Sequence, residues 1–148
     1  VTIGPVNKKF LLVKHDGYYY LDSYSIDIST VDLSFVSTVS FASPYGPKKI
    51  IAFREYEFSP NGYYFYILSY NGVHPYICDN SGNISTNGSS IIGTRFTDGI
   101  LVQKNNINYL YLISTNKIIV YKIENNGTLT FKHEIYESVQ PDQIISRR

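Results

Sequence analysis

Apolar residues come in short bursts along this chain, each closed by Gly, Pro, Asn or Ser. No window holds them at the i, i+3, i+4, i+7 spacing of a buried helix face. The run Phe10-Leu11-Leu12-Val13 predicts a first strand, and residues 18–21, 25–29 and 34–41 predict three more. Residues 49–58 carry Ile50, Ile51, Phe53, Tyr56 and Phe58, with charges on alternate positions toward the end. That pattern predicts a strand with one wet face. Residues 58–85 read as turn, strand, turn, strand, turn, and residues 109–113, 117–123 and 128–136 predict the closing strands. Asn-Gly and Asp-Gly reach positive φ cheaply and favour hairpin turns. The Tyr, Phe, Ile and Val between them suit a pleated surface. The expectation is an all-β, antiparallel fold.

The bursts recur. Gly17, Gly62 and Ile107 stand 45 residues apart, each ending a turn pair: Asp16-Gly17, Asn61-Gly62 and Asn106-Ile107. Similar residues follow: Tyr18-Tyr19-Tyr20-Leu21, Tyr63-Tyr64-Phe65-Tyr66 and Asn108-Tyr109-Leu110-Tyr111. Between the second and third copies the register holds without a gap, aligning Ser69 with Ser114, Val73 with Ile118, Tyr76 with Tyr121 and Gly82 with Gly127. The first copy reads as shorter, residues 26–28 and 33–35 matching residues 121–123 and 129–131. A fixed period of this size marks a repeat architecture and excludes nothing about activity. The expected units span residues 8–43, 48–92 and 93–138, with Ser43-Pro44-Tyr45-Gly46-Pro47 as the strongest break.

Ser59-Pro60-Asn61-Gly62-Tyr63, a strand, then Val120-Tyr121-Lys122-Ile123 leading to Asn126-Gly127-Thr128-Leu129-Thr130, resembles a β-propeller blade of the lactonase-like or WD40-like kind. The second and third copies carry the resemblance best, and the three together cover nearly the whole chain. Asn105-Asn106-Ile107 replaces the Pro-Asn-Gly turn in the third copy, and there is no Trp, so the Trp-Asp dipeptide of WD40 blades is absent. The resemblance implies antiparallel four-stranded meander repeats forming a partial β-propeller, with a β-sandwich as the alternative. Closed propellers need about four to eight blades, and three open ones leave a face and an edge to cover. The chain is then a fragment of a larger propeller, or copies complete the ring together. Lactonase-like propellers use acidic, His and Arg residues in a central cleft. Arg54, Glu57 and Arg95 are the charged residues such a cleft would draw on, though no motif transfers those roles to them.

Composition adds one feature, 15 tyrosines in 148 residues. Tyr packs its ring and keeps its hydroxyl wet, so it serves sheet packing and contact surfaces alike. Tyr18, Tyr20, Tyr63, Tyr66 and Tyr70 are the candidate interaction surface, for protein or for glycan. The net charge of +1, with basic residues scattered in pairs, excludes a phosphate-tracking stripe and so nucleic acid. No apolar run approaches the ~20 residues of a membrane-spanning helix. Val1 begins the chain and Met is absent, which leads to the expectation of a missing leader or flanking sequence.

Candidate chemistry is sparse. Cys78 is the one cysteine, too few for an intrachain disulfide, and reads as a buried thiol. His15, His74 and His133 fall at unequal places in the three units, without the spacing of metal ligands. Asp79-Asn80-Ser81-Gly82-Asn83 begins like a calcium loop, but Ile84 stands where that loop needs glycine, so it reads as a turn. No Gly-x-Ser-x-Gly elbow occurs. The sequence therefore assigns no catalytic residue, no metal ligand and no cofactor. Asn83, Asn87 and Asn126 open sequons at turn tips and are candidate glycosylation positions. The expected function is a non-enzymatic structural or recognition module. Its partners would be proteins, through self-association or neighbouring subunits, in an extracellular, cell-surface or virion setting. A lactonase-like enzyme with a shared cleft and a glycan-binding module are the alternatives.

Overall fold

The computed structural model describes residues 1–4, 8–15, 19–41, 46–52 and 61–136. Within them the chain forms strands and no helix. Strands β1 (Thr2–Ile3), β2 (Lys9–Lys14), β3 (Tyr20–Ile26) and β4 (Leu33–Ser40) make a first sheet in that order. Strands β5 (Lys49–Ala52), β6 (Tyr63–Ser69), β7 (Gly72–Cys78) and β8 (Ile84–Thr86) make a second, and β9 (Ile91–Ile92) also pairs with β7. Strands β10 (Phe96–Lys104), β11 (Ile107–Ser114), β12 (Lys117–Ile123) and β13 (Leu129–Tyr136) make the third. The fold is all-β, three antiparallel meanders side by side in a partial propeller-like arrangement, and not the two sheets of a sandwich. Tyr18, Arg54, Glu57 and the Asp16-Gly17 turn lie outside the described residues, as do residues 42–45 and 137–148.

Local chemistry sets the hairpins. Asn105 and Asn106 both take positive φ, 52° and 58°, so the β10–β11 hairpin closes on two left-handed residues without a glycine. Asparagine is among the few non-glycine types that tolerate this. At the β7–β8 turn, Asp79 Oδ1 accepts from the backbone N–H of Ser81 at 2.8 Å and of Asn83 at 2.9 Å, an Asx turn. Desolvation raises the Asp79 carboxyl, but the Asn83 side-chain amide, donating to Oδ2 at 3.0 Å, and these backbone bonds together hold it below its ordinary value.

The register corrects one expectation. In the second and third sheets the copies match as the sequence indicates, Tyr63 pairing with Cys78 as Asn108 pairs with Ile123. In the first sheet the equivalent pair is Lys9 with Ile26. The strand equivalent to β6 and β11 is therefore β2, and the tyrosines after Asp16-Gly17 lead into the third strand of their sheet, not the second. The first unit is also not the shorter one. Between its paired ends Ile26 and Leu33 it places residues 27–32, where the others place 79–83 and 124–128. Longer turns in the first unit moved the Gly marker off register with its neighbours.

Packing comes in two layers. Phe10, Leu12, Leu21 and Phe41 of the first sheet meet Tyr63, Phe65, Ile67 and Tyr76 of the second, with the Phe65 and Tyr76 rings stacked at 5.6 Å. Ile51, Tyr66, Leu68 and Val73 meet Phe96, Leu110, Leu112 and Tyr121 of the third. The second sheet is thus covered on both faces, and every residue of β6 is buried.

The seams repeat as well. The turn before the fourth strand of the second and of the third sheet reaches the preceding sheet. Gly82 (φ 94°) lies against the ring of Phe10, and its carbonyl accepts from Ser23 Oγ at 2.6 Å. Gly127 (φ 78°) lies against the ring of Tyr64, and its carbonyl accepts from the Tyr66 hydroxyl at 2.9 Å. A Cβ on either glycine would penetrate the aromatic ring. The first sheet has a turn one residue longer at this place, closed by Val31 N–H donating to the Asp27 carbonyl four residues back, where Gly82 N–H donates to Asp79 three residues back. Val31 holds φ 62° with 74% of its surface exposed.

These conformations have opposite consequences for substitution. Gly127→Val is expected to lower stability by about 3 kcal/mol, combining left-handed strain with overpacking. Val31→Gly is expected to raise it by about 1 kcal/mol, since relief of strain outweighs the entropy glycine adds to the unfolded chain. Urea unfolding midpoints measure both, and a Val31→Gly protein that unfolds earlier than the parent would refute the strain argument.

Candidate functional site

Three places bring polar or reactive groups together. The first is the β6–β7 hairpin. His74 Nε2 lies 2.9 Å from Ser69 Oγ, and its Nδ1 lies 2.8 Å from Ser90 Oγ. Ser69 Oγ also donates to Asn71 Oδ1 at 2.6 Å. A serine beside a histidine is the start of a nucleophilic pair, but Ser69 is fully buried and the group behind His74 is a hydroxyl, not a carboxylate. The Phe41 ring packs edge-on against the imidazole at 4.7 Å. The arrangement pins the hairpin against the first sheet, with Ser69 buried and His74 half-buried.

The second is a groove of about 580 Å³ lined by Tyr70, Asn71, Gly93 and Arg95. Lys48 Nζ stands 3.8 Å from the centre of the Tyr70 ring, and Arg95 Cζ stands 5.0 Å from it. Two cations share one ring, so the aromatic face is already in use by charge and is not a bare platform for a sugar. Deeper between the same sheets, Lys49 is ion-paired to Asp98, whose carboxylate also accepts from the Gly99 N–H at 2.8 Å. The pair ties the first strands of the second and third sheets together. Among the described residues no group of three His, Cys, Asp or Glu could hold a metal ion. Cys78 is buried, and that burial pushes its thiol up to about 12, far from a reactive thiolate.

The third is the open face of the third sheet. Leu110 and Leu112 point into the second core, so strand alternation turns Tyr109 and Tyr111 to the other side. Val102 pairs with Tyr109, and Ile100 pairs with Tyr111, which extends the same face onto β10. Ile118 continues it on β12, paired with Ile113. All five side chains named first on these strands, Ile100, Val102, Tyr109, Tyr111 and Ile118, are half-buried, and no fourth sheet covers them among the described residues.

The tyrosines expected to form one surface are dispersed. Tyr20 and Tyr70 are exposed at 37% and 42%, Tyr20 in the first sheet beside His15 and Tyr70 in the groove. Tyr63 and Tyr66 are interior, at 4% and 0%. The physical reason is that β6 belongs to the middle sheet, where neither face is wet. Burial raises the Tyr66 hydroxyl far above the ordinary phenol value, and the Gly127 carbonyl satisfies it. Tyr109 and Tyr111 are the half-buried tyrosines of the open face that sequence reasoning passed over. Their signal was present in the period: Tyr64-Phe65-Tyr66 and Tyr109-Leu110-Tyr111 stand 45 residues apart, as do Gly82 and Gly127.

The sequon asparagines lie at turns. Asn83 and Asn126 are exposed, Asn83 Nδ2 donating to Asp79 Oδ2 at 3.0 Å. Asn87 is half-buried, and its Nδ2 donates to the Asn126 carbonyl at 2.7 Å, across the seam between the second and third sheets.

No family model matches the chain, and no curated protein does. Among solved structures, a crystal structure of a protein from Lactobacillus plantarum matches 92% of this chain with a TM-score of 0.61 and 18% identity. At that identity the likeness is one of fold. The matched region spans 40% of that protein's length, so the neighbour continues well beyond the three sheets seen here.

The imidazole of His74 sets a pH dependence. Burial holds it below its ordinary value of 6.5, so the folded protein resists the proton that the unfolded chain accepts. Stability is complete above 6.5 and falls as pH drops below it, because there the unfolded state binds more protons. Urea midpoints between pH 7.5 and pH 5 should fall, and His74→Gln should flatten the slope over that window. An unchanged slope in His74→Gln would place the titration elsewhere.

Proposed function

We propose that this chain is a non-enzymatic structural module of the β-propeller type, which makes protein–protein contacts through the open faces of its blade-like sheets. One observation carries the reading: the third sheet presents an apolar, tyrosine-bearing face of the same kind as the one that the third sheet covers on the second. Such a face is an aggregation liability unless something packs on it. Support also comes from the chemistry, since the Ser69 hydroxyl is buried, His74 has no carboxylate behind it, and burial keeps the Cys78 thiol protonated. Neither an enzymatic cleft nor a glycan platform has an observation of equal weight.

The setting we propose is a surface, secreted or virion assembly. What supports it is the exposure of Asn83 and Asn126 at turn tips, where a glycan fits without displacing a strand. Secretion from a glycosylating cell should give a protein whose mass falls on enzymatic removal of N-glycans. An unmodified secreted chain would withdraw the glycoprotein part of the reading.

The contact role is tested by light scattering on the chain. Its mass is expected to rise with concentration, and Ile100→Lys, which places a charge on the open face, is expected to suppress that rise. A monomer at every concentration, indifferent to Ile100→Lys in mass and in solubility, would overturn the role.

A further inference from the structure

The open face carries a socket whose working counterpart stands one sheet away. In the seam between the second and third sheets, Tyr64 lies under Gly127 and the Tyr66 hydroxyl donates to the Gly127 carbonyl at 2.9 Å. On β11, Tyr109 and Tyr111 hold the same two places. Tyr109 pairs with Lys122 as Tyr64 pairs with Ile77, and Tyr111 pairs with Val120 as Tyr66 pairs with Pro75. The apolar frame recurs too, with Ile100 opposite Tyr111 where Ile51 is opposite Tyr66. In the second sheet these residues are sealed, and in the third they are half-buried. The Tyr111 hydroxyl makes no hydrogen bond among the described residues.

We infer that Tyr109 and Tyr111 form the docking socket for the glycine turn of a fourth antiparallel sheet. The Tyr109 ring receives the glycine Cα, and the Tyr111 hydroxyl donates to the glycine carbonyl. This rests on the contact role proposed above and names its partner: a four-stranded meander with glycine, at positive φ, in the turn before its fourth strand. Both seams already in the molecule demand glycine there, because a Cβ would enter the ring.

A second copy of this chain joined head to tail lacks the glycine that the socket takes, so the self-association read by light scattering is the pairing of two open faces and not occupancy of the socket. Its first sheet would bring Val31 to the ring, a β-branched residue where both seams use glycine. The outward face of that first sheet also departs from the pattern. Lys9 stands where Tyr63 and Asn108 stand, and Asp22, bonded to His15 at 2.8 Å, stands where His74 and Ile119 stand. Exposed Leu33 and Phe35 share that face with Lys9 and Asp22, so the residue that sets the first sheet apart at the socket is Val31.

The test uses the full chain with residues 92–136 repeated once directly after residue 136, which preserves the 45-residue spacing. The added sheet is expected to increase the β signal in circular dichroism and to raise the urea midpoint above that of the parent. Changing the added turn's glycine, the copy of Gly127, to valine should abolish the rise. Tyr111→Phe should shrink it in the lengthened chain while leaving the parent's midpoint unchanged. If the added sheet folds and stabilises but tolerates the valine, the socket is wrong while the contact role stands. If the lengthened chain gains neither β signal nor stability, the contact role falls with it.

Discussion

The three sheets share no hydrogen-bonded ladder, so their union depends on how closely one backbone can approach the next sheet's side chains. That approach is made by a single residue in each seam. Gly82 meets Phe10 and Gly127 meets Tyr64, both with left-handed backbone and with no side chain to hold the surfaces apart. The carbonyl left at the tip is buried by the same approach, and a hydroxyl from the receiving sheet answers it: Ser23 in one seam, Tyr66 in the other. An unanswered buried carbonyl would cost about 1–3 kcal/mol. The contact therefore works only as a unit of glycine, ring and hydroxyl.

Other features follow from that unit. Close seams seal the middle sheet on both faces, which is why all of β6 is buried, its tyrosines included. Because each sheet touches only its neighbours, stability is distributed sheet by sheet, as in repeat proteins, and the ends must differ from the middle. The first sheet differs by Val31. The third keeps the two tyrosines on its Tyr109-Leu110-Tyr111 strand, with Lys122 opposite Tyr109 where the second sheet has Ile77 opposite Tyr64.

Against this framework the polar clusters read as structural. His74 ties Ser69 to Ser90 and holds the β6–β7 hairpin against Phe41. Lys49 and Asp98 join the first strands of adjacent sheets. Lys48 and Arg95 bracket Tyr70 at the mouth of the open groove.

The amino-acid sequence by itself determined the strand class, the 45-residue period and the exact register of the second and third units. These depend on local rules: alternation, β-branched and aromatic content, and residues that accept positive φ. It also marked the 79–83 segment as a turn. The tertiary structure alone decided three things. It moved the first unit into a different register, because pairing between β2 and β3 outweighed the likeness of one Gly-containing turn. It divided the tyrosines into interior and exposed, because burial depends on which sheet lies in the middle, and alternation within one strand carries no information about that. And it gave Gly82 and Gly127 their purpose, since a glycine in a turn looks the same whether it faces water or an aromatic ring in the sheet before it.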